Sequence, residues 1–227
     1  MARILTIGAH PDDVEIGMGG TIASLKGKGH EVTILDLTDG EPTPTGSREI
    51  RLQESQEAAK VLGVDRRITL DLPNRYLLDS IENRLKVAEV IREVRPDVIF
   101  LHYWTDAHPD HRAASQLSEA ARFYAKLTKT EMSGEPFYPR RLFYFFSSHF
   151  RLLVKPAFVF DISQFIEVKI RAISCYKSQF NEIRGNLRIL EDLKITARWW
   201  GSRAHLDYGE PFASRECLSL KEISAIL

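Results

Sequence analysis

The chain has 227 residues, of which 44% are apolar, and its 31 lysines and arginines balance its 31 aspartates and glutamates. This apolar content excludes a disordered chain, and the balanced charge without a basic tract excludes a protein that binds nucleic acid through its phosphates. No apolar stretch approaches the ~20 residues that cross a bilayer, and the first apolar run is too short for a signal peptide. We therefore expect a soluble, cytoplasmic protein with one domain over residues 1–227.

The first half of the sequence alternates strand and helix patterns. Short apolar runs predict strands at Arg3–Ala9, Glu31–Leu37, Ile68–Leu72 and Asp97–Tyr103. The glycines Gly17, Gly19 and Gly20 lead into a first predicted helix that ends near Gly29, and further helices are expected at Arg48–Leu62, at Asp79–Val94 and from about His111 to Leu127. This alternation is typical of a mainly parallel sheet flanked by helices. The predicted fold class is a single Rossmann-like α/β domain.

The order of the strands in such a sheet predicts where a ligand binds. Right-handed crossovers favour the order 3-2-1-4, which makes strands 1 and 4 neighbours where the winding reverses. Ligands bind beyond the carboxyl ends of the strands at that point. The position of the site therefore follows from the strand order before any motif is considered.

The second half of the sequence is less regular. After Gly134, two further strands are predicted at Arg141–Ser147 and Ala157–Asp161, and two helices at Ser163–Gln179 and Asn186–Arg203. A loop with Tyr208, Glu210 and Phe212 is expected to follow them. No low-complexity linker and no internal repeat divides the chain, which again favours one domain.

Two histidine–aspartate clusters carry the strongest chemical signal. His10-Pro11-Asp12-Asp13 directly follows strand 1, and His108-Pro109-Asp110-His111 lies in the loop after strand 4. Charged groups at the end of a buried strand are costly unless they are paired, so an interpretation as surface loops or helix caps is less favoured. Imidazole and carboxylate suit a catalytic zinc ion, which usually has three protein ligands. Two histidines and one aspartate would supply these ligands and leave a second carboxylate to transfer protons.

These motifs resemble those of a known enzyme family. The segment Gly8–Ile22 (GAHPDDVEIGMGGTI) and the later His108–His111 (HPDH) are similar to the LmbE/PIG-L-like zinc N-deacetylases. The similarity is greatest to the bacillithiol-pathway branch, which deacetylates N-acetylglucosaminyl malate. Weaker matches extend it over nearly the whole chain: a GxxExR-like segment at Gly46–Arg51, YKSQF at Tyr176–Phe180 and DYGEPF at Asp207–Phe212.

The resemblance assigns a role to each residue that matches a family position. It implies one Zn²⁺ per chain, with Fe²⁺ as the alternative in the cell, and the zinc ligands are His10, Asp13 and His111. Asp12 is the implied general base, and Arg51 is implied to contact the substrate. A protonated His108 is implied to stabilise the oxyanion, with Asp110 orienting it and favouring its charged form. The resemblance also implies a homo-oligomer, a trimer or a hexamer.

The sequence departs from the common family pattern at three places. Val14 follows Asp13 where the family core HPDDE has its glutamate, the segment Leu72–Tyr76 differs from the usual Pro-Asp, and Asp106 stands where some relatives have a tyrosine. An oxyanion contact from a tyrosine must therefore come from elsewhere, and Tyr208 is the candidate. Trp104, just before the second cluster, is the aromatic candidate for a platform under the sugar.

Several functions stay open on the sequence alone. The favoured one is hydrolysis of an N-acetyl group on glucosamine, with N-acetylglucosaminyl malate, free N-acetylglucosamine or short chitin sugars as substrates. A malate conjugate would need a cationic pocket, for which Arg48, Arg51 and Arg75 are candidates. A metal-dependent phosphohydrolase would need two metals ~4 Å apart and hence more ligands. A sugar-binding protein with a degenerate site is the third alternative.

Overall fold

The computed structural model describes residues 1–146, 154–181, 183, 185–186 and 188–218. The strands are β1 (Arg3–Gly8), β2 (Glu31–Asp36), β3 (Arg66–Thr69), β4 (Val98–His102), β5 (Arg141–Phe145), β6 (Phe158–Asp161) and β7 (Gly209–Ala213). The helices are α1 (Asp13–Gly27), α2 (Arg48–Leu62), α3 (Ile81–Val94), α4 (Pro109–Tyr124), α5 (Ile166–Ile173) and α6 (Ile189–Arg203). None of these helices is long and apolar enough to cross a membrane.

The strands form one mixed sheet in the order β3-β2-β1-β4-β5-β7-β6. Strands β1 to β5 are parallel, and β7 runs antiparallel to both β5 and β6. The predicted order of the first four strands and the mainly parallel α/β fold are confirmed. Because β1 pairs with both β2 and β4, the winding reverses beside β1, as the crossover rule predicts.

Helices cover both faces of the sheet, which is why its central strands are continuous apolar runs. Helices α3 and α4 pack on one face through Val87, Ile91, Leu117 and Ala121. Helices α1, α2 and α5 pack on the other face through residues such as Met18, Ile22, Ala58, Leu62 and Ala172. The helix ends follow local sequence signals, since the Ser47 hydroxyl accepts the backbone N–H of Ile50 at the start of α2 and Gly63 ends it with φ 71°.

Two predictions for the second half of the chain were wrong. The predicted loop around Glu210 is the buried strand β7, and the helix α5 ends at Ile173 rather than Gln179. A buried glutamate followed by Pro211 hides the strand pattern, but the Glu210 carboxylate accepts hydrogen bonds from the backbone of Gly20 and Thr21. Residue 147 of the predicted fifth strand and residue 187 of the last predicted helix lie outside the described residues.

A buried ion-pair cluster joins the strands under the predicted site. The Arg67 side chain is completely buried, and its guanidinium binds both oxygens of Asp36 at 2.6 and 2.8 Å. Its third nitrogen lies 2.5 Å from Glu15 in α1. Two carboxylates thus share one cation, and the phenol of Tyr176 donates a further hydrogen bond of 2.8 Å to Glu15. Buried carboxylates are stabilised only while such partners are present.

Replacement of Arg67 by methionine is therefore expected to destabilise the fold strongly. It leaves two buried carboxylates without their cation, which typically costs about 3–5 kcal/mol and lowers the melting temperature by roughly 10 °C in a chain of this size. The neighbouring Arg66 is the matched control, because its ion pair with Glu93 is half exposed and is worth at most about 1 kcal/mol. Thermal unfolding followed by circular dichroism compares the two variants. Equal, small shifts would mean that the cluster contributes no more than a surface pair.

Candidate active site and metal centre

The two histidine–aspartate clusters meet at the carboxyl ends of neighbouring strands. Ile7 of β1 lies opposite Leu101 of β4, so the loops that follow these strands are adjacent. The ring centroids of His10 and His108 are 4.8 Å apart, and those of His10 and His111 are 5.4 Å apart. The structure thus brings together residues about one hundred positions apart in the sequence, at the predicted point of the sheet.

The turn after β1 holds Asp12 in an unusual backbone conformation. Asp12 precedes α1 with φ 118° and ψ −27°, a region that non-glycine residues occupy only when the surroundings enforce it. The backbone N–H of His10 donates a 2.7 Å hydrogen bond to the Asp13 carboxylate, which closes the turn. The strained turn directs the adjacent Asp12 and Asp13 side chains to different partners. Such strain is concentrated at functional sites.

Three buried side chains form a set of metal-ligand type. Ligand atoms of His10, Asp13 and His111 all lie within 4.8 Å of one another. The two oxygens of Asp13 stand 3.2 Å from His10 Nδ1 and 3.1 Å from His111 Nε2. Two imidazoles and one carboxylate are a donor set that zinc accepts, and three protein ligands leave a coordination position for water. The residues present therefore fit the implied zinc ion.

Two further residues hold these side chains in place. The Asp106 carboxylate lies 3.1 Å from His111 Nδ1, so the opposite nitrogen of this ring faces Asp13. His102, the last residue of β4, places its Nε2 3.1 Å from Asp13. A carboxylate behind a histidine is the usual way in which proteins orient a ligand ring.

The electrostatics of the set favour a bound cation. Burial opposes charge on His10, but the Asp13 carboxylate and its hydrogen bonds outweigh it and raise the pKa of His10 to about 9. Burial also opposes the charged form of His111, but the Asp13 and Asp106 carboxylates outweigh it and raise the pKa of His111 to about 10. For Asp13 itself, burial is overcome by the surrounding imidazoles, and its pKa is held well below the usual range. A buried anion that attracts positive charge this strongly is suited to a metal ion.

Asp12 lies beside this set and is paired with an arginine. Burial raises the pKa of the Asp12 carboxyl to about 7, against the lowering effect of the Arg51 charge. Arg51 Nη2 donates to Asp12 Oδ2 at 3.1 Å, and the guanidinium stands 5.6 Å from the ring of Tyr176. Arg51 is only 3% exposed, and its Nε and Nη1 have no hydrogen-bond partner in the described part of the chain. A carboxylate and a cation thus lie side by side next to the ligand set.

The surroundings of His108 and Asp110 differ from those implied by the resemblance. His108 Nδ1 accepts the backbone N–H of Asp110 at 3.2 Å, which leaves the proton of the neutral ring on Nε2. Burial and the neighbouring charges of His111 and His10 lower the pKa of His108 to about 4, against the raising effect of the Asp110 charge. The Asp110 carboxylate contacts His10 Nε2 at 3.2 Å and accepts the backbone N–H of Arg75 at 2.6 Å. Asp110 therefore orients His108 through its backbone, and the neutral form of His108 is the favoured one.

These residues border a cavity of about 420 Å³. Of the predicted site residues, those in its wall are His10, Asp12, Asp13, Arg51 and His108. Asp110 and His111 lie buried beside them. Arg75 also lines the cavity, and its guanidinium donates a hydrogen bond to the Pro42 carbonyl. The cavity is thus wide enough for a sugar and carries two cationic side chains.

Three side chains predicted to contact a substrate are not in the described wall of the cavity. Trp104 packs edge-on against Tyr144, and the Arg215 guanidinium covers it at 4.3 Å. Tyr208 packs in a small apolar cluster with β6 and α6. Arg48 pairs at the surface with Asp71 and Asp39. The sugar platform at Trp104, the oxyanion contact at Tyr208 and the cationic contribution from Arg48 therefore stay predictions that this cavity does not support.

The sequence interpretation also missed residues that the structure places at the site. His102 and Asp106 support the ligand set, and Gln179 lies in the cavity wall. The signal for His102 was available, since an ionisable residue ending an apolar strand at the switch point requires a partner. For Gln179 the signal was the YKSQF match at Tyr176–Phe180, but this match assigned it no role and the residue was predicted within a helix.

Comparisons with known proteins agree with this geometry. The sequence profile of the PIG-L family, described as GlcNAc-PI de-N-acetylase, matches residues 5–122. A diacetylchitobiose deacetylase from Thermococcus kodakarensis is 35% identical over 79% of this chain and 71% of its own length. A 1D-myo-inositol 2-acetamido-2-deoxy-alpha-D-glucopyranoside deacetylase from Thermomonospora curvata is 32% identical over 62% of this chain and 59% of its own length. The crystal structure of a conserved protein from Thermus thermophilus superposes with a TM-score of 0.89, at 40% identity over 97% of this chain and 98% of the other.

Proposed function

We propose the function of this site on the premise that the chain belongs to the PIG-L family of de-N-acetylases. It is thus an amide hydrolase, and we infer that it removes the acetyl group from an N-acetylglucosamine unit. The observation that carries this proposal is that the His10, Asp13 and His111 set and the Asp12 carboxylate adjoin one cavity of sugar size. Amide hydrolysis needs a nucleophile, a group that transfers protons and a stabiliser of negative charge.

We assign His10, Asp13 and His111 as the residues that hold one zinc ion. When bound there, zinc supplies a Lewis acid and lowers the pKa of water towards ~7. Fe²⁺ accepts the same donors, and its use depends on which metal is available in the cell. A phosphohydrolase with two metals is disfavoured, because the only other candidate set in the described chain, His10, His108 and Asp110, shares His10 with the first.

Asp12 is the proposed general base, because it lies next to the metal set and in the cavity wall. It takes a proton from the attacking water and later delivers it to the leaving amine. Arg51 fixes the carboxylate by its hydrogen bond to Oδ2, which leaves Oδ1 for proton transfer. A base held by a second group in this way needs no reorganisation at the moment of reaction.

His108 is the proposed stabiliser of the charge that develops on the amide oxygen. Its ring lies in the cavity wall, 4.8 Å from that of His10. Because Nδ1 accepts the backbone N–H of Asp110, the proton of the neutral ring is on Nε2. The ring can therefore donate through Nε2 without being a cation. A neutral donor preorganised in this way acts by the same principle as other oxyanion holes.

The substrate we favour is N-acetylglucosaminyl malate. Its malate carboxylates need cations, and the cavity wall contains both Arg75 and the buried Arg51. Diacetylchitobiose is the second candidate, on the ground that the relative from Thermococcus kodakarensis carries that name. The relative from Thermomonospora curvata makes an inositol glycoside of N-acetylglucosamine a third. All three share the N-acetylglucosamine amide and differ in the charge of the group attached to it.

The test is acetate release from four compounds: N-acetylglucosaminyl malate, N-acetylglucosamine, diacetylchitobiose and N-acetylglucosaminyl inositol, each with zinc added or removed by a chelator. We expect zinc-dependent release, with kcat/KM highest for the malate conjugate and about one zinc per chain. A preference for diacetylchitobiose or the inositol glycoside would keep the chemistry and reject the malate substrate. No release from any of the four by zinc-loaded enzyme would contradict the proposed function.

A further inference from the structure

The segment Tyr176–Phe180 (YKSQF) follows shortly after the end of helix α5 at Ile173 and lies against the site. Hydrogen bonds hold several of its residues in place. The Tyr176 phenol donates to Glu15, and Ser178 donates to the Glu54 carboxylate through both its backbone N–H and its hydroxyl. The backbone carbonyl of Gln179 accepts a 2.7 Å hydrogen bond from Asn186. Gln179 is 3% exposed and lies in the cavity wall. A rigid amide side chain therefore faces the cavity.

The hydrogen bonds around Gln179 determine which end of its amide faces the cavity. Its nitrogen lies 2.8 Å from the Ser178 hydroxyl and 3.3 Å from the Thr43 hydroxyl. The Ser178 hydroxyl donates its single proton to Glu54 at 2.6 Å, and the Thr43 hydroxyl donates its own to Glu41 at 2.9 Å. Both hydroxyls must then accept from Gln179, so the amide nitrogen points towards them. The amide oxygen Oε1 points the other way.

This oxygen is available to a ligand. Within the described residues, Oε1 receives no hydrogen bond, while both bonds of the amide nitrogen go to protein hydroxyls. An oxygen of this kind accepts from a donor and repels a carboxylate. The donors of an amino sugar are its hydroxyl groups, whereas a carboxylate attached to the sugar would be drawn to Arg75. At the same cavity, the Gln179 oxygen thus suits a hydroxyl group and the Arg75 guanidinium suits a carboxylate.

We propose that Gln179 determines specificity by accepting a hydrogen bond from a ring hydroxyl of the sugar through Oε1. This inference rests on the proposed deacetylase function. A site that binds a hydroxyl with a fixed acceptor discriminates against an analogue without it, because the acceptor is then left unpaired. Gln179 binds the neutral sugar, and the chemistry at the amide belongs to Asp12 and His108.

The test compares the Gln179→Met variant with the parent enzyme on the best substrate and on its 3-, 4- and 6-deoxy analogues. Methionine keeps the length of the side chain and removes the acceptor, while Ser178 and Thr43 keep their bonds to Glu54 and Glu41. We expect KM to rise about 10-fold with little change in kcat, as for the loss of one neutral hydrogen bond in substrate binding. With one of the deoxy analogues, the parent enzyme should show a similar rise in KM. With the same analogue, the Gln179→Met variant should show no further rise, because the hydrogen bond is already lost.

Asn181→Ala is the matched control, because Asn181 binds Thr45 and the Ser178 carbonyl in the same segment but is not in the cavity wall. It should leave KM and the order of the deoxy analogues unchanged, and melting temperature and zinc content are measured for every variant. An unchanged KM for Gln179→Met, or losses that add for every deoxy analogue, would overturn the inference and leave the deacetylase function standing. Failure of the parent enzyme to hydrolyse any N-acetylated sugar would overturn both.

Discussion

Replacement of Asp12 by asparagine is expected to lower kcat by about 10³-fold, within the range that a general acid–base group contributes. The amide cannot take a proton from water at neutral pH, but it has the shape of the carboxylate, and its oxygen can still accept from Arg51. Asparagine also tolerates the positive φ of 118° at this position better than alanine does. The expected loss therefore reflects proton transfer rather than the backbone. Steady-state kinetics on the favoured substrate measure it.

The interpretation of that result depends on zinc content and KM. If Asp12 transfers protons and ligates nothing, Asp12→Asn should retain about one zinc per chain and a KM close to that of the parent enzyme. The control is Asp71→Asn, an exposed carboxylate paired with Arg48 away from the ligand set, which should retain full activity. A variant Asp12→Asn with undiminished kcat would reject Asp12 as the base. Loss of zinc in this variant would instead move Asp12 into the ligand set.

The position of the site was predictable because it depends on connectivity and not on side-chain detail. Alternating strands and helices, with right-handed crossovers, place β1 beside β4. Any residues that follow these strands then share one crevice, so His10 and His108 converge although nothing local joins them. The ligand set itself came from the resemblance, and the structure adds the 4.8 Å grouping of its donor atoms.

What the sequence could not provide is the partner of each polar residue. Glu210 looked like a loop residue because its partners, the backbone of Gly20 and Thr21, are far away in the chain. Trp104 looked available for a sugar because Arg215, which covers it, lies more than one hundred residues later. In the same way, the orientation of the Gln179 amide depends on two hydroxyls that are themselves committed to Glu41 and Glu54. Such long-range pairings leave no periodic signal in the sequence.

The second large effect is expected on zinc affinity when a residue of the ligand set His10, Asp13 and His111 is replaced. Asp13→Asn removes the anion that draws positive charge to His10 and His111, and it should weaken zinc binding by more than ~10²-fold, since even loss of a residue behind a ligand costs about 10–100-fold. Asp106→Asn, which acts through His111, should fall within that smaller range. Competition with a chelating dye measures both affinities.

Thermal stability provides a readout of this series that does not depend on activity. A ligand at ~1,000 times its Kd stabilises the native state by about 4 kcal/mol, so zinc should raise the melting temperature of the parent enzyme by roughly 10 °C. The rise should be smaller for Asp106→Asn and absent for Asp13→Asn. His30→Ala is the control, because His30 contacts the backbone of Ala2 far from the cavity, and its response to zinc should match that of the parent. An equal rise in all four proteins would mean that zinc binds elsewhere, because only a set centred on Asp13 predicts this order.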